Sequence, residues 1–179
     1  EADVARRIDY NGPQDFRTLE ARRVLGTCMM YQEQFVEAHA ELEAVAVASE
    51  DAFGEANRLA LRARKDLAVV HARQGDHAGA VEQFEKVVAA MIRSPDLGPG
   101  HWTTLNAQAG LARNLIETTR YGEAVGLLEV AAHGLAAQLG PDHRNAVQAR
   151  NSFDEARTLA GGKPRSKTWS PDCGAFVLQ

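Results

Sequence analysis

Proline, cysteine and aromatic residues are scarce in this chain of 179 residues, and each shortage excludes a class of protein. The six prolines leave residues 14–94 and 100–140 free for helices, since proline inside a helix costs about 3 kcal/mol. Two cysteines, Cys28 and Cys173, are too few for a disulfide scaffold or a four-ligand zinc site. No apolar run approaches the roughly 18 residues that predict a membrane span.

The charge balance and the lack of reactive motifs exclude further functions. The net charge of -4 gives no reason to expect contact with nucleic acid or with an anionic membrane. The sequence has no phosphate-binding loop and no nucleophile elbow, and its six histidines are scattered. We therefore expect no enzyme, no cofactor and no metal site. Cys28 is expected to be buried as a small apolar residue, and Cys173 to be exposed.

Alanine is what the chain has in abundance. There are 31 alanines, in a sequence whose 45% hydrophobic and 25% charged residues are typical of globular proteins. Alanine is the best helix former, and a core of small side chains suits helices that pack close together. The alternation of β-branched residues that marks strands is nearly absent. The composition predicts an all-α protein.

The sequence repeats itself with steps of 42 and 44 residues, which is the spacing of a helical array. Each repeat carries apolar residues at corresponding places. They are Leu19, Leu25, Phe35, Ala38 and Leu42 in the first repeat, Leu61, Leu67, His77, Ala80 and Phe84 in the second, and Leu105, Leu111, Tyr121, Ala124 and Leu128 in the third.

Each repeat is predicted to form two helices, A and B. In the third repeat, helix A covers about 102–117 and helix B about 121–139, where apolar residues recur at steps of three and four. The joint Leu97-Gly98-Pro99-Gly100-His101 recurs as Leu139-Gly140-Pro141-Asp142-His143. We expect the histidine of each joint to cap or pack against the following helix.

These repeats and joints resemble the tetratricopeptide repeat (TPR), in the longer form found in kinesin light chains and in many bacterial signalling proteins. The best matches are Leu67-Ala68 with Gly75-Asp76-His77, and Leu111-Ala112 with residues 121–124. The tryptophan that the family carries early in helix A is missing, so the copies are divergent. The resemblance implies a right-handed α-solenoid of antiparallel helix pairs.

The resemblance also implies how the chain is divided. Residues 1–12 would be the end of a preceding repeat helix, and a TPR-like superhelical domain would cover 13–160. Its repeats would span about 13–54, 55–98 and 99–140, with a capping helix at 144–160. Residues 161–179 would be a flexible C-terminal tail, whose Trp169 and Phe176 could dock on the domain.

In TPR proteins the A helices line a concave groove, and this implies a set of peptide-binding residues. They are Arg23, Thr27, Tyr31, Arg62, Lys65, Val69, Arg73, Asn106, Arg113 and Asn151. Met30 and Ile116 would add apolar contact. The acids are expected on the B helices, which would leave the groove basic. The alternative is that these cations form only a solvated face.

The sequence therefore predicts a non-catalytic adaptor module that binds a protein or peptide, within a larger bacterial regulator. An acidic peptide or a free C-terminal carboxylate is the expected ligand, because a basic groove focuses its field on anions. Two alternatives stay open. One is a sensor domain of a transcription factor or kinase that binds a small effector or controls self-association. The other is an oligomerisation scaffold, such as a homodimer. A cytoplasmic location is favoured.

Overall fold

The computed structural model describes residues 2–161, and this part of the chain forms eight α-helices and no strand. The all-α prediction is confirmed. The helices are α1 (Ala2–Asn11), α2 (Phe16–Tyr31), α3 (Phe35–Phe53), α4 (Arg58–Arg73), α5 (His77–Arg93), α6 (Trp102–Glu117), α7 (Tyr121–Leu139) and α8 (Arg144–Leu159). The bounds predicted for the two helices of the third repeat are those of α6 and α7. The predicted tail lies outside the described residues, apart from Gly161.

The helices belong to two compact units, Glu1–Pro99 and Gly100–Gln179. In the first unit, α2 packs on α3, α3 on α4 and α4 on α5, while α2 also contacts α4 and α1. In the second unit, α6 packs on α7, α7 on α8, and α6 contacts α8. The first unit therefore holds α1 and two helix pairs, α2–α3 and α4–α5, and the second unit holds the pair α6–α7 followed by α8. Helices α2, α4, α6 and α8 occupy the position of helix A. Among residues 2–161, no helix has both the length and the apolar character needed to cross a bilayer.

A side chain caps the start of every A helix. Asp15 and Asn57 each accept the backbone N–H two residues further on, at 2.9 and 2.8 Å. The Nδ1 atoms of His101 and His143 accept the equivalent N–H groups of α6 and α8, at 3.1 and 3.2 Å. These bonds satisfy donors that the first turn of a helix leaves without a partner. The capping role predicted for the two histidines is confirmed.

Two glycines allow the helices of a pair to approach closely. A Cβ atom added to Gly26 on α2 would lie 2.8 Å from Cγ of Leu42 on α3. A Cβ added to Gly134 on α7 would lie 2.6 Å from Cδ1 of Leu105 on α6. Both leucines are buried, so neither can move aside freely. Contact between A and B helices therefore depends on the absence of a side chain at these two positions.

Asp76 links the end of α4 to the start of α5. Its Oδ1 accepts the Gly79 N–H at 2.9 Å, and its Oδ2 lies 3.0 Å from Nδ1 of His71. The Gly79 N–H, followed by the His71 hydrogen bond, lowers the pKa of Asp76 below its ordinary value of 3.8. Because this pKa is lower in the folded chain, Asp76 contributes stability that is complete above pH 3.8 and is lost as the pH falls through the folded value.

We expect Asp76→Ala to lower the urea midpoint of unfolding at neutral pH, because the cap and the His71 contact are lost. The difference in urea midpoint between wild type and variant should be constant at mildly acidic pH, and it should narrow once the pH falls below 3.8. Urea titrations followed by far-UV circular dichroism at several pH values measure this difference in midpoint. A difference that stays the same across this window would contradict the assigned role of the carboxylate.

Candidate functional site

The residues predicted to line a groove are divided between the two units, and each set is described separately. In the first unit they are Arg23, Thr27 and Tyr31 on α2, and Arg62, Lys65, Val69 and Arg73 on α4. In the second unit they are Asn106 and Arg113 on α6, and Asn151 on α8.

Three of the predicted cations in the first unit belong to an ion cluster that joins α2 to α4. Arg23 donates from Nη1 to Asp66, and from Nε and Nη2 to the carboxylate of Glu20 at 3.1 and 3.0 Å. Lys65 Nζ lies 2.9 Å from Oδ1 of Asp66, and Arg62 Nη1 lies 3.1 Å from Oε1 of Glu20. Arg23 and Asp66 are only 7% and 5% exposed. These five residues, called the ion cluster below, connect adjacent A helices.

The charges within the ion cluster explain its pKa shifts. Burial alone would lower the pKa of Arg23, but hydrogen bonds and charges from Glu20 and Asp66 outweigh it and raise that pKa. Desolvation, with the charge of Arg23 as the next cause, lowers the pKa of Arg62. Three cations face two carboxylates, so the cluster keeps one net positive charge.

The sequence interpretation missed Asp66, and although it counted Glu20 among the groove-facing positions of the first repeat, it did not pair Glu20 with the cations. One signal was present: Glu20 precedes Arg23 by three residues, a spacing that brings side chains together on a helix. The contact between Arg23 and Asp66 joins residues 43 positions apart, and only the packing of α2 on α4 reveals it.

The other predicted groove residues of the first unit lie around this cluster. The Arg73 guanidinium lies over the ring of Tyr31, 4.5 Å from its centroid, in a cation–π contact. Tyr31 is 63% exposed, and Val69 is partly buried. Thr27 donates its hydroxyl to the Arg23 carbonyl at 2.9 Å. Met30 was expected to face a ligand, and this is wrong: it is 2% exposed within the core.

Arg113 in the second unit differs from the cations of the ion cluster. It is partly buried, and it makes no hydrogen bond or ion pair with any of residues 2–161. Desolvation lowers its pKa. The repeat register pairs Arg113 of α6 with Thr27 of α2, which lies 86 residues earlier. It also pairs Ser152 of α8 with Asp66 of α4, again 86 residues earlier. In the first unit the Thr27 hydroxyl lies 3.5 Å from Asp66. The second unit therefore has a cation at this register but a serine in place of the carboxylate.

Two asparagines accompany Arg113 in the predicted set. Asn106 is partly buried and lies seven residues before Arg113, so both belong to the same face of α6. Asn151 is exposed on α8, and its register is that of Arg23 and Lys65 in the first unit. An amide side chain here can donate hydrogen bonds without adding charge.

The structure also bears on two expectations about reactive residues. Cys28 was expected to be buried, and this is wrong: it is exposed on α2. Cys173 lies outside the described residues. Across residues 2–161, no group of three or more histidine, cysteine or acidic side chains is arranged to hold a metal ion.

No protein-family model matches the sequence. No curated protein matches it significantly. Two solved structures of a Podosopora anserina protein, described as a kinesin light chain with nearly identical TPR-like repeats, are similar to this chain. The first, of a point variant of that protein, is 26% identical with a TM-score of 0.71, and the match covers 80% of this chain and 66% of that one. The second is 26% identical with a TM-score of 0.70, covering 80% and 67%.

These matches agree with the helix pairs and joints described above, and they confirm the resemblance drawn from the repeats. A TPR-like fold is generally a non-catalytic scaffold, and it suggests a module for interaction with other proteins. The chain therefore has a TPR-like helical repeat fold.

Proposed function

We propose that this protein is a non-catalytic adaptor module that binds an acidic peptide segment on the A helices of its second unit, α6 and α8, with Arg113 as the main anchor. The observation that carries the proposal is the state of Arg113. It is a partly buried guanidinium that has no carboxylate partner within residues 2–161. The carboxylate of a ligand would supply that partner.

The chemistry of the guanidinium favours this ligand class. A guanidinium carries five N–H donors in a planar fork that fits a carboxylate with two parallel hydrogen bonds. Desolvation strengthens such a pair, because the attraction between opposite charges grows as water is removed. Asn106 and Asn151 would add neutral donors to the peptide backbone or to a second carboxylate oxygen.

The ion cluster directs the assignment toward Arg113. Arg23, Arg62 and Lys65 already hold the carboxylates of Glu20 and Asp66, so a ligand would have to compete with internal partners, of which Asp66 is buried. Their role in this proposal is structural. Replacing them would disturb the packing of α2 on α4, which makes Arg113 the better position to test.

A display library of random peptides with free C-terminal carboxylates tests the proposal. We expect the full chain to select acidic sequences, with affinities measured by fluorescence anisotropy. Arg113→Gln should weaken the selected peptides by about tenfold to a hundredfold, the loss expected for a hydrogen-bonded charge pair. Raising the salt concentration should weaken wild-type binding more than that of the variant.

Arg144→Gln is the matched control, because Arg144 is an exposed arginine on α8. It should bind the selected peptides as wild type does. Arg113→Gln should fold with unchanged or higher stability, since it removes a desolvated charge that lacks an internal partner. Equal affinity of wild type and Arg113→Gln, or a library that yields no bound peptide, would overturn the proposal.

A further inference from the structure

The second unit lacks the charges that the first unit carries in its ion cluster. In the repeat register, each residue of α6 or α8 corresponds to the residue of α2 or α4 that lies 86 positions earlier. The five charged residues of the ion cluster correspond to uncharged side chains, which are Asn106, Ala109, Gln148, Asn151 and Ser152. The uncharged Thr27 corresponds to Arg113. At these six positions the second unit therefore has a single charge, where the first unit has five.

The packing of the first unit shows that these positions are neighbours. Arg23 and Thr27 of α2 both contact Asp66 of α4. The contact between α6 and α8 corresponds to the contact between α2 and α4. Arg113 is partly buried and Ser152 is 7% exposed, so water is partly removed from both positions. We therefore expect Arg113 to face uncharged groups, whereas Thr27 faces a carboxylate.

The other charges on these faces of α6 and α8 do not add positive charge. Glu117 lies four residues after Arg113 on α6, and Glu155 lies four residues after Asn151 on α8, so each shares the face of the earlier residue. Arg144 lies seven residues before Asn151 on the same face. All three are exposed, and together they carry one negative charge. Among residues 2–161, no charged group contributes to the pKa shift of Arg113, whose cause is desolvation.

This distribution of charge fits a ligand group with one negative charge. A carboxylate neutralises one guanidinium through two parallel hydrogen bonds, and its remaining lone pairs can accept hydrogen bonds from amide side chains. A phosphorylated side chain carries close to two negative charges at pH 7. Its second charge would be partly desolvated without a cation to offset it, and the carboxylates of Glu117 and Glu155 would repel it.

We infer that the Arg113 site selects its ligand by charge: it binds a carboxylate and rejects a phosphorylated residue at the same position. The inference rests on the function proposed above and adds the class of anion that the site accepts. An aspartate, a glutamate or a terminal carboxylate of a partner protein fits the site, whereas a doubly charged phosphoserine does not.

The test uses the full chain and the tightest peptide from the library described above. Replacing its aspartates and glutamates one at a time by the amides, and amidating its C terminus, first locates the carboxylate that depends on Arg113. Two further peptides carry phosphoserine or serine in place of that residue, with an amidated end if the terminal carboxylate is the anchor. At pH 7.5 the phosphoserine peptide should bind no more tightly than the serine peptide, about tenfold to a hundredfold more weakly than the carboxylate peptide. Fluorescence anisotropy measures the three affinities.

Acid should restore binding of the phosphoserine peptide. The singly charged fraction of phosphoserine rises roughly twentyfold between pH 7.5 and 5.5, since its second pKa is about 6. The affinity of this peptide should therefore rise about tenfold, whereas a carboxylate stays ionised over the same range. The second unit also contains His101, His133 and His143, so the carboxylate and serine peptides are measured at both pH values to correct for changes in the protein itself.

Asn151→Lys should weaken the selectivity, because it places a second cation at the register of Lys65. At pH 7.5 the phosphoserine peptide should gain about tenfold in affinity, more than the carboxylate peptide gains. Val130→Lys is the matched control: it adds the same charge at an exposed valine of α7, and it should leave the order of the peptides unchanged. Both variants should unfold at the wild-type temperature, since both positions are exposed.

The possible failures separate this inference from the function on which it rests. Phosphoserine binding as tight as carboxylate binding at pH 7.5 would overturn the inference and leave the proposed function standing. A phosphoserine affinity that is the same at pH 5.5 and 7.5 would do so too, since the site would then not respond to charge. A library that yields no bound peptide, or peptides that bind Arg113→Gln as they bind wild type, would overturn both.

Discussion

Asp66→Asn is expected to lower the free energy of unfolding by about 3 kcal/mol, within the range for removing one member of a buried ion pair. Asp66 is 5% exposed and holds both Arg23 and Lys65. Without its charge, three cations would face the single carboxylate of Glu20. The amide can still accept a hydrogen bond, but it cannot offset the charge of a guanidinium that is 7% exposed.

Urea unfolding followed by far-UV circular dichroism measures this loss. Arg23→Met combined with Asp66→Leu should recover most of it, because apolar residues of similar volume often replace a buried ion pair without loss of stability. Glu82→Gln is the control: it removes a carboxylate from the exposed pair that Glu82 forms with Lys86, and it should have no measurable effect. Wild-type stability of Asp66→Asn would refute the structural role of the ion cluster.

Gly26→Ala and Gly126→Ala should change stability in opposite directions, although the substitution is the same. The added methyl group at position 26 would lie 2.8 Å from Cγ of Leu42, which is fully buried. Overpacking of this kind costs about 1–3 kcal/mol. At position 126, within α7, the methyl group meets nothing within 4 Å. Alanine there should stabilise the helix by roughly 0.5–1 kcal/mol, because glycine loses more backbone freedom on folding.

Thermal and urea unfolding of the two variants, measured in parallel with wild type, test this prediction. Gly134→Ala provides a second case of close approach, against Leu105 in the other unit, and should behave as Gly26→Ala does. If all three alanine variants stabilised the chain, helix propensity alone would decide the outcome. The close contact of A and B helices at Gly26 and Gly134 would then be excluded.

The helices could be predicted from the sequence because their signals are local. The apolar stripe of α7 recurs every three or four residues, and the joints before α6 and α8 supply the histidines that cap them. Each signal acts within a few residues of the position that it determines. The bounds Trp102–Glu117 and Tyr121–Leu139 followed from such signals, without knowledge of how the pairs stack.

The candidate site could be predicted only in part, because side-chain environment depends on neighbouring helices. Arg23 and Met30 were placed by counting from Leu25, but at those offsets α2 faces the interior rather than solvent. Cys28 was taken as buried because its neighbours in the sequence are apolar. Its exposure depends on how the neighbouring helices pack on α2, a property that no local pattern carries.

The side of α8 that carries Gln148, Asn151 and Glu155 is polar and exposed, and this affects how the array could have grown by duplication of repeats. A helix pair added against that side would enclose the amides of Gln148 and Asn151 and the carboxylate of Glu155. Each of these groups would cost about 1–3 kcal/mol if it were left without a partner. A helix added there would therefore have to supply polar partners, as α4 supplies Asp66 to Arg23 of α2.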